Sequence, residues 1–166
     1  MSAPADTLFA KSFRDRREVD ATRAWALFTG EWAVHRTLGP HGVFRGRASF
    51  VSLTAEARRY TERGEVTMPQ GGVLRAEQTF HYRVESDGIR VYRHSPLGGE
   101  LELLHALRFD ATEPGVATGI HHCGDDVYRA RYQFASDVLF YLTYVVTGPR
   151  KNVTIHSRYR KSASEA

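Results

Sequence analysis

From residue 31 onward, hydrophobic and polar residues alternate in short runs, and clusters of glycine, proline and aspartate separate the runs. A period of two is typical of strands with one buried face. Asp87-Gly88 is a strong hairpin signal, because both positions of a two-residue turn need positive φ. The predicted strands are about 31–39, 43–54, 57–68, 73–86, 89–95, 100–111, 115–123, 126–135, 138–147 and 152–160.

Ten short sequential strands joined by tight turns favour an all-β, antiparallel up-and-down meander. Such a sheet removes its exposed edges by closing into a barrel, and a barrel of this size leaves room for one small ligand. Before the strands, Asp20 to Gly30 have the N-cap, apolar face and glycine stop of a short helix. We therefore predict a flexible N-terminal arm over 1–18 and a single barrel domain over 19–166.

Composition excludes several classes of protein. The chain of 166 residues is 42% hydrophobic and 25% charged, which is typical of a globular domain. The net charge is +4, but the basic residues are spread along the chain and interleaved with acidic ones. This distribution indicates a solvated surface rather than nucleic-acid binding. The longest apolar run, Val138–Val146, is too short to span a membrane. A single cysteine, Cys123, and a start without a secretory signal indicate the cytoplasm.

Three segments carry a family resemblance: Gly30–Trp32, His122–Tyr132, and Gly148–Asn152 followed by Ser157–Tyr159. Together they resemble a bacterial and fungal family that is known as a domain of unknown function. That family is similar to calycins, the group of ligand-holding barrels that includes lipocalins and fatty-acid-binding proteins. The resemblance implies a calycin-like barrel in which Trp32 closes the floor and stacks with a basic residue of the last strand, either Arg158 or Arg160.

The segment around the seventh turn has the residue types of acid–base catalysis. His122 and Tyr128 could exchange protons with a substrate while Asp126 orients the histidine. Strand alternation places His121 and Cys123 on one face and His122 on the other. Because a metal needs three or four converging ligands, we predict no metal site here.

The interior of the barrel is expected to be polar in part. Arg36 shares a strand face with Trp32, so an inward Trp32 brings a buried charge that needs a tyrosine or carboxylate partner. On the last strand, His156 and Arg158 alternate against Ser157 and Tyr159, and either face could be interior. The remaining strand residues with polar groups suited to a pocket include Glu77, Tyr82, Tyr92, His105, Arg129, Tyr132 and Tyr144.

The leading hypothesis is a small-molecule-binding barrel without a cofactor, whose pocket takes an anionic or phenolic organic ligand. Its predicted ligand-binding residues are Arg36, Tyr92, His105, Arg129, Tyr144, His156 and Arg158. The alternative is a cofactor-free isomerase, cyclase or decarboxylase that uses His122, Tyr128 and Asp126. A third hypothesis is haem bound through His156 or His105. A homodimer is compatible with the sequence, which leaves the oligomeric state and the presence of catalysis open.

Overall fold

The computed structural model describes residues 5–163 of the chain, and the side chains of residues 16–163. Helix α1 comprises Ala5–Leu27, and a three-residue 3-10 helix, Gly39–His41, lies between the first two strands. The ten strands are β1 (Gly30–Thr37), β2 (Val43–Ser52), β3 (Ala57–Thr67), β4 (Val73–Glu85), β5 (Gly88–His94), β6 (Leu101–Phe109), β7 (Val116–Cys123), β8 (Asp126–Ser136), β9 (Leu139–Thr147) and β10 (Asn152–Lys161). No helix in this part of the chain is long and apolar enough to cross a bilayer.

The strands form a closed antiparallel barrel, which confirms the predicted fold class. Each strand pairs with its neighbours in sequence, and β1 closes the ring against β10, where Trp32 lies opposite Lys161. The β6–β7 ladder is short, with only Arg108↔Thr118 and Phe109↔Ala117 as partners, whereas β7 and β8 share eight pairs. The barrel wall is therefore uneven around its circumference.

Helix α1 begins much earlier than the sequence predicted. It starts at Ala5, so Asp20 lies inside the helix, where its carboxylate accepts a hydrogen bond from the Gly115 amide at 3.1 Å instead of capping. Arginine and glutamate, which crowd the preceding stretch, are good helix formers and extend the helix backwards. The predicted flexibility of the arm over 1–18 stays a prediction, and residues 1–4 lie outside the described part.

The C-terminal end of α1 closes one end of the barrel with an aromatic plug. Phe28 is fully buried, stacks on Phe50 at 4.8 Å between ring centroids, and meets Tyr82 edge-on at 5.1 Å. Arg58 holds this end in place, because its guanidinium donates to the carbonyls of Trp25 and, at 2.7 Å, Phe28. A cation at the negative end of a helix is favourable, and the same guanidinium lies 4.1 Å from the Trp25 ring centre.

Trp32 is fully buried, as predicted, but its cationic neighbour differs from the predicted one. The Lys161 ammonium lies 5.4 Å from the Trp32 ring centre, and not Arg158 or Arg160. Alternation along β10 explains the difference, since Tyr159 is interior and Lys161 follows it on the same face. Arg158 and Arg160 therefore face outward.

We expect Phe28→Ala to lower the free energy of unfolding by about 3–5 kcal/mol, because it empties the plug that seals the barrel. Urea denaturation followed by tryptophan fluorescence measures this loss. Val19→Ala, at a helix position whose residue is 58% exposed, is the matched control and should change stability little. Equal stability of the two variants would contradict the plug assignment.

Candidate functional site

An interior cavity of about 350 Å³ extends from the aromatic plug toward the opposite end of the barrel. Tyr82 and Tyr132 line its deep part, and Leu38 and Cys123 lie beside turns at the other end. The lining side chains are mostly aromatic or apolar: Arg36, Leu38, Tyr60, Gln78, Phe80, Tyr82, Val91, Arg93, Leu104, His121, Cys123, Tyr128, Tyr132, Leu142, Tyr144, Ile155 and Tyr159.

A buried ion pair occupies one side of this cavity. Both terminal nitrogens of Arg36 donate to the two carboxylate oxygens of Glu62 at 2.7 Å, and the side chains are only 12% and 3% exposed. Burial by itself lowers the pKa of Arg36, but its contacts with Tyr159 and Glu62 outweigh burial and raise it. The guanidinium therefore stays charged, and its charge is neutralised by the protein.

The hydrogen bonds around this pair form a closed ring. Arg36 donates to the Tyr159 hydroxyl at 3.0 Å, Tyr159 lies 3.1 Å from the Tyr60 hydroxyl, and Tyr60 donates to Glu62. Gln78 adds a bond to Glu62 at 2.8 Å, so the carboxylate accepts four hydrogen bonds. A carboxylate has about four acceptor sites, so Glu62 has no free capacity for a ligand. The ring gives interior Arg36 both of the expected kinds of partner, a carboxylate and a tyrosine hydroxyl.

Sequence analysis missed Glu62. It lies two residues after Tyr60 on β3, a strand with so few apolar residues that its interior face is hard to recognise from the pattern. The available signal was the shared face with Tyr60, combined with the need of Arg36 for a partner. Glu77, which the pattern suggested for the interior, lies on the outer surface and pairs with Arg63 at 3.1 Å.

A second polar group lies in the deep part of the cavity. The hydroxyls of Tyr82 and Tyr132 lie 3.0 Å apart, and Tyr144 brings a third hydroxyl to the same side. Burial raises the pKa of all three phenols well above 10, so they stay protonated. One of the Tyr82 and Tyr132 hydroxyls donates to the other, so the accepting hydroxyl keeps its own hydrogen for a ligand.

Polar side chains also line the shallower part of the cavity. His121 has an Nε2 atom, and Arg93 an Nε atom, that are buried without a hydrogen-bond partner among the described residues. Burial and the nearby Arg93 charge lower the pKa of His121, so its imidazole is neutral at pH 7. Tyr128 lies close by, with its ring centre 6.1 Å from that of His121.

The structure separates the predicted catalytic residues. Tyr128 lines the cavity, whereas His122 is exposed on the outer face, because strand alternation turns His121 inward in its place. Asp126 binds Lys151 at 3.0 Å beside the β7–β8 turn instead of orienting a histidine.

Four predicted ligand-binding residues lie on the outer face of the barrel and do not line the cavity. The ring of Tyr92 packs beneath Arg83, and Arg129 donates to Thr147 at 3.3 Å. His156 bonds to Thr143 at 3.1 Å, and Arg158 is exposed, because the interior face of β10 carries Ile155, Ser157 and Tyr159. Arg36 and Tyr144 line the cavity as predicted.

His105 is buried behind the cavity wall. Its exposure is 2%, and its ring centre lies 6.0 Å from that of Tyr144 and 6.4 Å from that of Tyr132. Within the described part of the chain, neither ring nitrogen has a hydrogen-bond partner. Burial, assisted by His121, lowers the pKa of His105 to about 4, so the ring is neutral.

Comparison with known proteins gives a family and a fold. The model of a family of unknown function, DUF6314, matches residues 28–161. The S-type phycobiliprotein lyase CPES from Guillardia theta has a similar structure, with a TM-score of 0.62 and 10% identity over 90% of this chain and 98% of the lyase. A redesigned β-barrel, mFAP1, bound to DFHBI, matches with a TM-score of 0.46 and 13% identity over 84% of this chain and 99% of that one. No curated protein matches the sequence significantly.

We expect Glu62→Gln to lower the free energy of unfolding by about 3–5 kcal/mol, because it leaves the Arg36 charge buried without its counter-ion. The double variant R36M/E62M removes both charges and should be more stable than E62Q alone. Urea denaturation at pH 7 measures both. If E62Q were as stable as the wild type, the pair would not be the fixed charge compensation described above.

Stability should also depend on pH through His105. Its pKa falls from 6.5 to about 4 on folding, so below pH 6.5 the unfolded chain binds a proton that the folded protein does not. Above pH 6.5 His105 is neutral in both states and costs the folded protein nothing. As the pH falls to 4, the free energy of unfolding decreases by about 3 kcal/mol. Urea denaturation at pH 7 and pH 4.5 should show a smaller loss for His105→Phe than for the wild type. Equal losses would contradict a neutral, buried His105.

Proposed function

The chain belongs to DUF6314, a family of unknown function, and we propose that its barrel binds a small aromatic molecule that carries a hydroxyl or carbonyl group. The observation that carries the proposal is an interior cavity of about 350 Å³ with an unshared tyrosine hydrogen on its wall. Ligand pockets of proteins typically have this size, with apolar walls and a few converging polar groups.

The walls favour an aromatic ligand body. Tyr60, Phe80 and Tyr82 lie next to one another on the cavity wall. The ring centre of Tyr60 is 5.9 Å from that of Phe80 and 5.9 Å from that of Tyr82. Flat rings gain from stacked or edge-on contacts with such a surface, in addition to the burial of apolar area. A planar aromatic molecule is therefore the body that best matches the cavity.

The polar groups favour a phenolic or carbonyl group over an anion at the base of the cavity. An anion brought to Arg36 would also meet Glu62, whose carboxylate already takes two hydrogen bonds from that guanidinium. Tyr82 and Tyr132 in the deep part of the cavity are neutral donors, which suit an uncharged oxygen. An acidic substituent would instead lie in the shallower part near Arg93, whose own carboxylate neighbour, Glu102, is 3.6 Å away and partly exposed.

Binding is proposed in preference to turnover because the predicted catalytic residues do not converge. Only Tyr128 of the three lines the cavity, and His122 lies outside. The haem hypothesis loses His156 in the same way, since that ring bonds to Thr143 on the outer surface. The likeness to the phycobiliprotein lyase concerns the fold, so the proposal rests on the cavity itself.

The proposal predicts that 2-naphthol binds more tightly than naphthalene, because its oxygen accepts the free tyrosine hydrogen. Replacing Tyr132 alone would leave the Tyr82 hydrogen free, so the test is the double variant Y82F/Y132F. It should weaken 2-naphthol binding about five- to tenfold, the value of one hydrogen bond, and leave naphthalene binding unchanged. Isothermal titration calorimetry measures both.

Tyr141→Phe is the matched control, since Tyr141 is 38% exposed on the outside of β9. It should bind both molecules as the wild type does. A wild-type protein that binds neither molecule, or a Y82F/Y132F variant with unchanged 2-naphthol affinity, would contradict the proposed function.

A further inference from the structure

The wall of the barrel has a gap between β6 and β7. These strands pair only at Arg108↔Thr118 and Phe109↔Ala117, near the end closed by α1. Toward the other end, residues 101–107 of β6 and 119–123 of β7 have no ladder partners across the seam in the described structure. The β1–β10 and β4–β5 seams, by comparison, have six pairs each.

The gap is continuous with the interior cavity. A recess between the two strands is lined by Leu104, His105, Gly119 and His121, among others. Leu104 and His121 line the interior cavity as well, so the same two side chains separate the recess from the barrel interior. A ligand in the cavity therefore lies next to the gap.

Gly119 lets His105 occupy this position. A Cβ atom on Gly119 would lie 3.1 Å from the Cδ2 atom of the His105 ring and 3.1 Å from the Ala106 carbonyl oxygen. The absence of a side chain at residue 119 lets the imidazole lie directly against the β7 backbone, inside the seam.

The unpartnered nitrogens of His105 require an explanation. A neutral imidazole has one donor and one acceptor, and both are buried here without a partner among the residues that the structure describes. Buried polar groups in native proteins almost always have partners, and a leucine or phenylalanine would fill this space without that cost. His121 adds another unpartnered buried nitrogen at the same place.

We propose that the ligand site extends into the β6–β7 gap, where His105 and His121 form a second polar subsite. This inference rests on the proposed function and adds to it a second ligand group, one that both donates and accepts hydrogen bonds, such as a hydroxyl or a carboxamide. The ring centres of His105 and Tyr132 are only 6.4 Å apart, so one small ligand can contact both polar groups.

The test compares 2-naphthol with 2,6-dihydroxynaphthalene, which carries a second hydroxyl at the far end of the same two rings. The wild type should bind the diol about tenfold more tightly, and His105→Phe should bind both molecules equally. At pH 7 the H105F variant should unfold at the same or a higher temperature than the wild type, because it removes two unsatisfied buried nitrogens. His35→Phe, on the far side of the barrel in β1, should keep the tenfold difference.

Hydrogen exchange of the wild-type protein provides a second measurement that needs no variant. The amides of Gly119–Cys123 should exchange more slowly with the diol bound than with 2-naphthol bound, while those of β8 and β9 should not change between the two.

The subsite would be overturned if the diol bound no more tightly than 2-naphthol, or if the H105F variant kept the difference. An H105F variant that unfolds at a lower temperature than the wild type would also overturn it, because His105 would then make a structural hydrogen bond. Lack of extra protection in the gap would do the same. A protein that binds neither naphthol would instead refute the proposed function, and the subsite with it.

Discussion

The ion pair between Arg36 and Glu62 is the constraint on which the interior of this barrel depends. Neither charge is tolerable alone in a dry interior, and each has its full complement of partners only when Ser157, Tyr159, Tyr60 and Gln78 are in place. Four strands, β1, β3, β4 and β10, therefore contribute to one hydrogen-bonded unit. That unit fixes one wall of the cavity and leaves no net charge on it, so the hydroxyls of Tyr82 and Tyr132 decide which polar group a ligand needs.

The two ends of the barrel differ because the chain enters it from one side. Helix α1 arrives at the end where Phe28, Trp32 and Phe140 pack together, and the ring of Phe28 reaches five other aromatic rings there. No comparable plug lies at the opposite end within the described residues. Cavity depth is thus set by a single helix terminus and by the Arg58 guanidinium that binds its carbonyls.

Much of the fold could be predicted from alternation, and much less of the site. The strands, the closure and the interior position of Arg36 follow from a period of two combined with turn residues. On β10 both faces carry polar residues, so the pattern could not decide whether Tyr159 or Arg158 points into the barrel. For the same reason it could not decide which of His121 and His122 points inward. Glu62 depended on its tertiary partner Arg36, which the local sequence does not encode, whereas the early start of α1 follows the helix propensity of the residues before Asp20.

The short β6–β7 ladder has a consequence for how the molecule fluctuates. In a closed ring of strands, widening at any seam requires the loss of the hydrogen bonds that hold that seam, and here those bonds are concentrated at one end. The two strands can therefore separate at the end of the seam that has no ladder bonds, while the other nine seams keep their bonds. A cylinder that is rigid elsewhere thus contains its own slot, through which a molecule could exchange with solvent without passing the end of the barrel or unfolding the protein.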